Sequence, residues 1–326
     1  MVKDALTERP MARSLGPALA RLGDWRRYVI YIAFVAIFVF FAATLGPYGF
    51  LSATNLLNIL RQTATTTIMA VAVTFVIAAA EIDLSIGSTV GLASVTTALA
   101  IQAWGLPVGV AAGLLTGLAV GLVNGALVAT LTIPSFLVTL GTTGIAQGAA
   151  IWISNSAPVP ILSDAYNGFF GGGNVGPVPS LVVWTALVVA IGAIALDKTA
   201  YGRRVLATGG NRVAAEYSGV DTKRIKFTVL LVSGLVAGLG GMLYAGRLQS
   251  GRFEWGTGDE LSVIAAVILG GTSLFGGSAT VLGAVFGSLM IGLINNGLLL
   301  AGLESSQQII VRGVVIILAV ALARRK

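Results

Sequence analysis

Glu81 and Asp83 stand two residues apart in the stretch AAAEIDLSIGS, residues 78–88, at the end of a long apolar run. Two carboxylates at that spacing could load and pass protons or serve as an acid–base pair. They could also do something plainer. Asp83 lies just before Ser85 at a helix start, where a carboxylate accepts hydrogen bonds from free backbone N–H groups and opposes the positive end of the helix dipole. Glu81, two residues earlier, need not face the same way. Composition narrows the choice: the 326 residues include no histidine and no cysteine. Thiol nucleophiles, disulfides, iron–sulfur clusters and the usual proton-transfer side chain are therefore missing, and a metal site is not expected. The remaining carboxylates are scattered among loops and helix ends, so no catalytic residue and no acid–base pair for an intramembrane enzyme emerges. Two readings of the junction Glu81, Asp83 and Ser85 stay open. In one it fixes a bend between helices, and in the other the bend belongs to an inner gate.

The elements that must position this junction are transmembrane helices. The chain is 56% hydrophobic and 10% charged, against roughly 25% charged in soluble domains. A hydrocarbon core of about 30 Å needs roughly 20 apolar residues per helix. Ten stretches are read as spans: 28–45, 56–79, 84–103, 106–131, 134–153, 180–196, 226–246, 260–275, 280–301 and 307–323. The 43 glycines suit close packing of such helices. The fold class expected is an all-α membrane protein.

The formal net charge of +7 could suggest nucleic acid, but its distribution follows a membrane rule, so no nucleic-acid partner is expected. Of 20 Lys and Arg, 16 fall in three segments: the N-terminal tail 1–27, the loop 197–226 and the C-terminus 324–326. Ten spans put all three on one side, which the positive-inside rule makes cytoplasmic. The expected organisation is a cytoplasmic tail 1–27, one transmembrane domain 28–323 interrupted by the loop 197–226, and a tail 324–326. The segments 154–179 and 247–259 then fall outside. The first 27 residues lack a continuous apolar core and do not read as a cleaved signal peptide.

LAVGLVNGALVAT (118–130) and LMIGLINNGLLLA (289–301) share the frame Leu, two residues, Gly-Leu, a β-branched residue, then Asn. They sit in the fourth and ninth spans. An offset of five makes the copies cross in opposite directions, the pattern of transporters with inverted repeats. Asn124, Asn295, Asn296, Gln62 and Gln147 are costly against lipid. They serve either interhelical hydrogen bonding or a polar translocation path.

Within 197–226, Asn211 can cap a short helix, RVAAEYS, that ends at Gly219 in the left-handed position. The face formed by Ala214 and Ala215 is read as small and flat, its rim charged by Arg203, Arg204, Arg212, Glu216, Lys223 and Arg224, with Ser218 in the same helix. Such a surface suits docking into a groove of another protein, or the basic loop touches anionic lipid headgroups. GGTSLFGG (270–277) is a glycine-rich turn without the lysine of a phosphate loop, and no Gly-x-x-x-x-Gly-Lys-Ser/Thr motif occurs anywhere. If ATP drives this chain, another subunit binds it.

Four ordered blocks carry a resemblance: NLLNILRQTATTTIMAVAVTFVIAAAEIDLSIGS (55–88), GRRVLATGGNRVAAEYSGV (202–220), DELSVIAAVILGGTSLFGG (259–277) and GSLMIGLINNGLLLAG (287–302). Over nearly the whole chain the sequence resembles the integral membrane permeases of bacterial ATP-binding cassette (ABC) importers for monosaccharides, the ribose-type branch. The resemblance implies a homodimer or a pairing with a paralogue. It also implies a cytoplasmic ATPase that carries ATP and magnesium and meets Asn211–Gly219, and a periplasmic or lipid-anchored sugar-binding protein. The segment 247–260 is either a solvated loop or the place where that protein docks, with Arg247, Arg252 and Glu254 as charge partners. No cofactor is implied for this chain. The family's common Gly-Gly-Ile-Asp-Leu-Ser is here Ala80-Glu81-Ile82-Asp83-Leu84-Ser85, a departure that bears on substrate branch. The rival readings are an ABC permease for branched-chain amino acids or a furanose signal, and an ion-coupled secondary transporter.

Overall fold

The computed structural model describes residues 29–323, so the tails 1–27 and 324–326 lie outside the described residues. Eight helices among the described residues are long and apolar enough to cross a membrane. They are α1 (Val29–Leu45) with the turn after it, α2 (Ala53–Ala78), α3 (Ile86–Trp104), α4 (Leu106–Thr130), α5 (Ser135–Ile153), α7 (Ser180–Lys198), α10 (Thr222–Leu248) and α12 (Val281–Leu300). Between α5 and α7 lie a short strand β1 (Val159–Pro160), one helical turn α6 (Asp164–Asn167) and a hairpin of β2 (Asn174–Val175) and β3 (Val178–Pro179). Two short helices, α8 (Ala200–Gly210) and α9 (Arg212–Tyr217), precede α10, and β4 (Ser250–Gly251) follows it and pairs with β1. The bundle thus has a strand end and an α9 end. α11 (Asp259–Leu269) and α13 (Ser305–Ala323) complete the described chain and are not among the eight.

The expected span 260–275 is corrected. α11 has 11 residues, about 16 Å at 1.5 Å per residue and half of a hydrocarbon core. It stops at Gly270, and Gly271, Gly276 and Gly277 all adopt positive φ, so the apolar run continues past the point where the backbone turns. Non-helical chain of similar reach leads into α11. From β4 the segment 249–258 runs back along α3: Gly251 abuts Ala98, Gly91 abuts the carbonyls of Phe253 and Trp255, and Gly87 abuts the Gly256 carbonyl. That is eleven residues of α3, about 16 Å of its axis. Gly240 of α10 touches Val90 of α3 as well as Thr65 and Met69 in the middle of the 26-residue α2, so this segment reaches mid-height of the bundle.

A second break mirrors the first. α2 ends at Ala78 beside Gly209 and Gly277 at the α9 end, and residues 81–84 return toward mid-height as extended chain before α3 begins. The two halves also exchange partners, since α10 packs on α3 and α4 while α2 packs on α11 and α12.

α4 and α10 meet through glycine. Gly109, Gly113, Gly117, Gly121 and Gly125 recur every fourth residue on the buried face of α4. A Cβ at Gly121 would stand 2.7 Å from the Leu231 carbonyl, and one at Gly117 would stand 2.7 Å from the Gly238 Cα. Such small-residue rows let helix backbones touch where lipid offers no hydrophobic drive. We expect Gly117→Val to lower stability by about 1–3 kcal/mol through overpacking, read as a lower melting temperature in detergent. An unchanged melting temperature would show that the row is not a tight contact.

Candidate gate and coupling surface

An extended segment inside a membrane must find partners for its backbone polar groups within the protein. Residues 82–84 find them on α5, where Ser135, Thr139 and Thr143 recur at four-residue spacing on one face. Ser135 Oγ accepts from Ile82 N at 3.0 Å and Thr139 Oγ1 from Leu84 N at 3.1 Å, and Thr143 Oγ1 donates to the Leu84 carbonyl at 3.0 Å. Hydroxyls thus replace the neighbouring strand that an extended chain would otherwise need.

Asp83 is the hub. Its Oδ1 accepts from Ser85 N at 2.9 Å and from Ser85 Oγ at 2.6 Å, and its Oδ2 accepts from Ser233 Oγ of α10 at 2.7 Å. Asn124 of α4 donates to Ser85 Oγ at 2.8 Å and accepts from Thr142 Oγ1 of α5 at 2.7 Å. The residue that caps α3 is Ser85 itself, and its side chain makes no cap bond. Asp83 therefore takes a backbone N–H at the start of α3, as its position in the sequence suggests, but that of Ser85 at the cap and not one inside the helix. The wide network ties the start of α3 to α4, α5 and α10.

Glu81 faces elsewhere, as two-residue spacing allows. It pairs with Lys226 in the first turns of α10. Beside that pair is a cavity of about 80 Å³ lined by Glu81, Thr132, Pro134, Arg212, Lys223 and Lys226. It lies between the α4–α5 turn, α9 and α10.

α9 forms as its sequence predicts: Asn211 Oδ1 accepts from Ala214 N at 3.0 Å, and Gly219 has φ +82°. Arg212 and Glu216 pair at 2.9 Å, and Glu216 also accepts from Thr222 Oγ1 at 2.6 Å, fixing α9 to the start of α10. The Thr222 hydroxyl, then Arg212, hold the Glu216 carboxyl below its ordinary value. This tie is therefore present above the ordinary carboxylate range and is lost only as pH falls below it. The flat Ala214–Ala215 face is corrected, because Ala215 turns inward at 5% exposure. Ser218 donates to the Ala214 carbonyl. The large apolar groups that α9 turns outward are Val213 and Tyr217, 60% and 90% exposed, one turn apart.

The other residues singled out in the sequence do not converge on one place. Asn296 of α12 forms a reciprocal amide pair with Asn55 of α2, at 3.0 and 2.9 Å. Asn295 and Gln147 are half-buried, and Gln62 is exposed on α2. Arg247, in the last turn of α10, is half-buried and donates to the Arg61 carbonyl at 3.3 Å. Arg252 and Glu254 pair at 3.5 Å within the segment that descends along α3. The reading of 247–259 as an outer loop is therefore corrected beyond β4. Its polar composition imitates a loop in water, while its backbone is satisfied by α3: Ser94 Oγ accepts from Arg252 N and donates to the Arg252 carbonyl, at 3.1 and 2.9 Å. Sequence reading missed Ser135, Thr139, Thr142, Thr143, Ser233, Lys226, Val213 and Tyr217. The four-residue spacing of Ser135, Thr139 and Thr143 was the one signal that could have found any of them.

Comparison with known proteins follows the same outline. The profile of the family described as branched-chain amino acid transport system / permease component matches residues 55–320. The probable ABC transporter permease protein YphD of Escherichia coli (strain K12) is 40% identical over 289 residues, 88% of this chain and 86% of that protein. The ribose import permease protein RbsC of the same strain is 40% identical over 303 residues, 90% of this chain and 92% of that protein. The L-arabinose ABC transporter permease protein AraH of Azospirillum brasilense is 36% identical over 313 residues, 94% of this chain and 91% of that protein. No solved structure gives a significant match.

Proposed function

Because the chain belongs to the branched-chain amino acid transport system / permease component family, we propose that it is the membrane-spanning permease subunit of an ABC importer that carries a monosaccharide across the bacterial inner membrane. The family's description admits amino acids. What favours a sugar is identity of 36–40% along nearly the full length to permeases whose names specify ribose and L-arabinose. The chain is a transport component and not an enzyme, with ATP and magnesium held by a partner ATPase and no cofactor of its own.

The topology we adopt keeps ten crossings and both termini in the cytoplasm, with the single domain, tails and cytoplasmic loop read from the sequence. Seven crossings are continuous helices, two join an extended segment to a helix (81–84 with α3 and 249–258 with α11), and α13 is the last. The two broken crossings enter from opposite ends, and the halves exchange packing partners. Both features support an inverted repeat. The basic segment 197–226 supports a cytoplasmic α9 end.

The single observation that carries the mechanism is a continuous chain of polar contacts from α9 to mid-height. Glu216 ties α9 to Thr222 on α10, Lys226 on α10 ties to Glu81, and Glu81 belongs to the same extended segment as Asp83, which is tied back to α10 at Ser233. A push on α9 by the ATPase is thereby delivered to the segment 81–85, which is held by hydroxyl contacts that can exchange partners. We assign α9, Asn211 to Gly219, to ATPase coupling and Glu81, Asp83 and Ser85 to the gate. Asn124, Asn296, Asn295, Gln62 and Gln147 remain candidates for lining or supporting the path. A second permease subunit, this chain or a paralogue, completes the path, lipid surrounds it, and a periplasmic or lipid-anchored sugar-binding protein meets the strand end near Arg247. The test is uptake of labelled ribose, arabinose, galactose and leucine by cells expressing the chain with its ATPase and binding protein. The proposal expects a sugar to accumulate and leucine not to; leucine alone accumulating would overturn it.

A further inference from the structure

The charges on the segment 249–258 lie where lipid would reject them. Arg252 and Glu254 have side chains 39% and 55% exposed, and Thr257 is exposed beside them. Yet their neighbours Phe253, Trp255 and Gly256 abut Gly91 and Gly87 of α3 at mid-height of the bundle. Exposed ionised groups at that depth do not face hydrocarbon; they face a water-filled space or protein. Non-helical backbone at membrane depth is found where it is buried in protein or lines a water-filled cavity; this segment packs its backbone on α3 and turns Glu254 and Thr257 outward, which fits a wall between the two.

The chemistry of this face is also specific. Arg252 stacks over Trp255 at 5.4 Å from the ring centroid, and Trp255 stacks on Tyr244 at 6.3 Å. Tyr244 donates to Asp259 Oδ2 at 2.6 Å at the start of α11. Within residues 252–257 the segment thus offers a guanidinium donor, a carboxylate acceptor, a hydroxyl and an aromatic ring edge. Arg252 and Glu254 form a single contact of 3.5 Å, which leaves further N–H groups and lone pairs on both. Such a set suits an uncharged polyhydroxylated solute, whose hydroxyls each donate and accept.

We propose that residues 252–257 form a wall of the translocation path and that Arg252, Glu254 and Thr257 contact the hydroxyl groups of the passing solute. The proposal rests on the importer reading for the solute's class, but the placement of the wall in water does not. The natural chain has no cysteine, so single cysteines can be labelled against a silent background. Thr257→Cys and Glu254→Cys, in the full chain assembled with its ATPase, are treated with a membrane-impermeant methanethiosulfonate in the resting and the vanadate-trapped states. Leu115→Cys, exposed on α4, serves as the lipid-facing comparison. Both path positions should react in at least one state, Leu115→Cys should not, and modification should abolish ribose uptake. Two unreactive positions in both states would overturn the wall. Reaction that leaves uptake intact would overturn the contact with solute. A chain that labels as expected but takes up no ribose even before the reagent is added would support the wall and count against the sugar reading alone.

Discussion

Asp83→Ala should cost the protein several kcal/mol, the largest single effect expected from any substitution in the bundle. Alanine leaves Ser85 N, Ser85 Oγ and Ser233 Oγ without their acceptor. Asp83 is 1% exposed, so no water replaces it. Each orphaned buried donor costs about 1–3 kcal/mol, against a total stability of about 5–15 kcal/mol for a typical domain. Asp83→Asn keeps one carbonyl oxygen for Ser85 and turns an NH₂ toward Ser233, whose hydroxyl can accept it. The asparagine variant should therefore retain most of the lost stability. Melting in detergent, followed by monodispersity on size exclusion, measures both. An asparagine variant that fails as badly as alanine would mean that negative charge itself is required at this site, and the hydrogen-bond account of the junction would be wrong.

The second large effect is expected at the other end of the polar chain. Tyr217 is 90% exposed and Val213 60% exposed on adjacent turns of α9, an aromatic and an aliphatic group that no described residue covers. Truncating a central aromatic of this kind costs about 2 kcal/mol or more at an interface, about thirtyfold in affinity. Tyr217→Ala with Val213→Asp should remove co-purification of the ATPase while leaving the permease folded and in the membrane. Ala215→Trp is not an equivalent probe, because that side chain points inward and a bulky residue there would distort the loop. Undiminished co-purification of the double variant would move the coupling surface away from α9.

How much of this was legible beforehand differs by element. Long apolar runs fix a crossing almost by themselves, so the eight continuous helices and the flanking positive charge could be read directly. Asn211 and Gly219 could be read too, because capping and a left-handed turn are local properties of those residues. α11 was overextended because hydropathy continues through Leu274 and Phe275, while the termination is written only in Gly270 and Gly271. The descent of 249–258 was hidden for the opposite reason: RLQSGRFEWGTGDE reads as polar loop, and only tertiary contact with Gly87, Gly91 and Ser94 reveals its depth. Asp83 and Asn124 could be marked as costly in a membrane, but their meeting through Ser85 and Thr142 depends on three helices that no local pattern brings together. The repeat frame aligned Asn124 with Asn295, whereas the structure buries Asn124 and Asn296, a shift of one residue that turns a different amide inward.

The central claim is that partner-driven ATP hydrolysis, and not an ion gradient, moves a sugar through this chain. The most direct test is uptake of labelled ribose by cells expressing the chain with its ATPase and binding protein, with a protonophore present under conditions that maintain ATP. A parallel strain carries the ATPase with its nucleotide-binding lysine replaced. Uptake that survives the protonophore and vanishes with the lysine is the predicted result. Uptake that collapses with the proton gradient and ignores the ATPase variant would contradict the account and make Glu81 and Asp83 a proton relay.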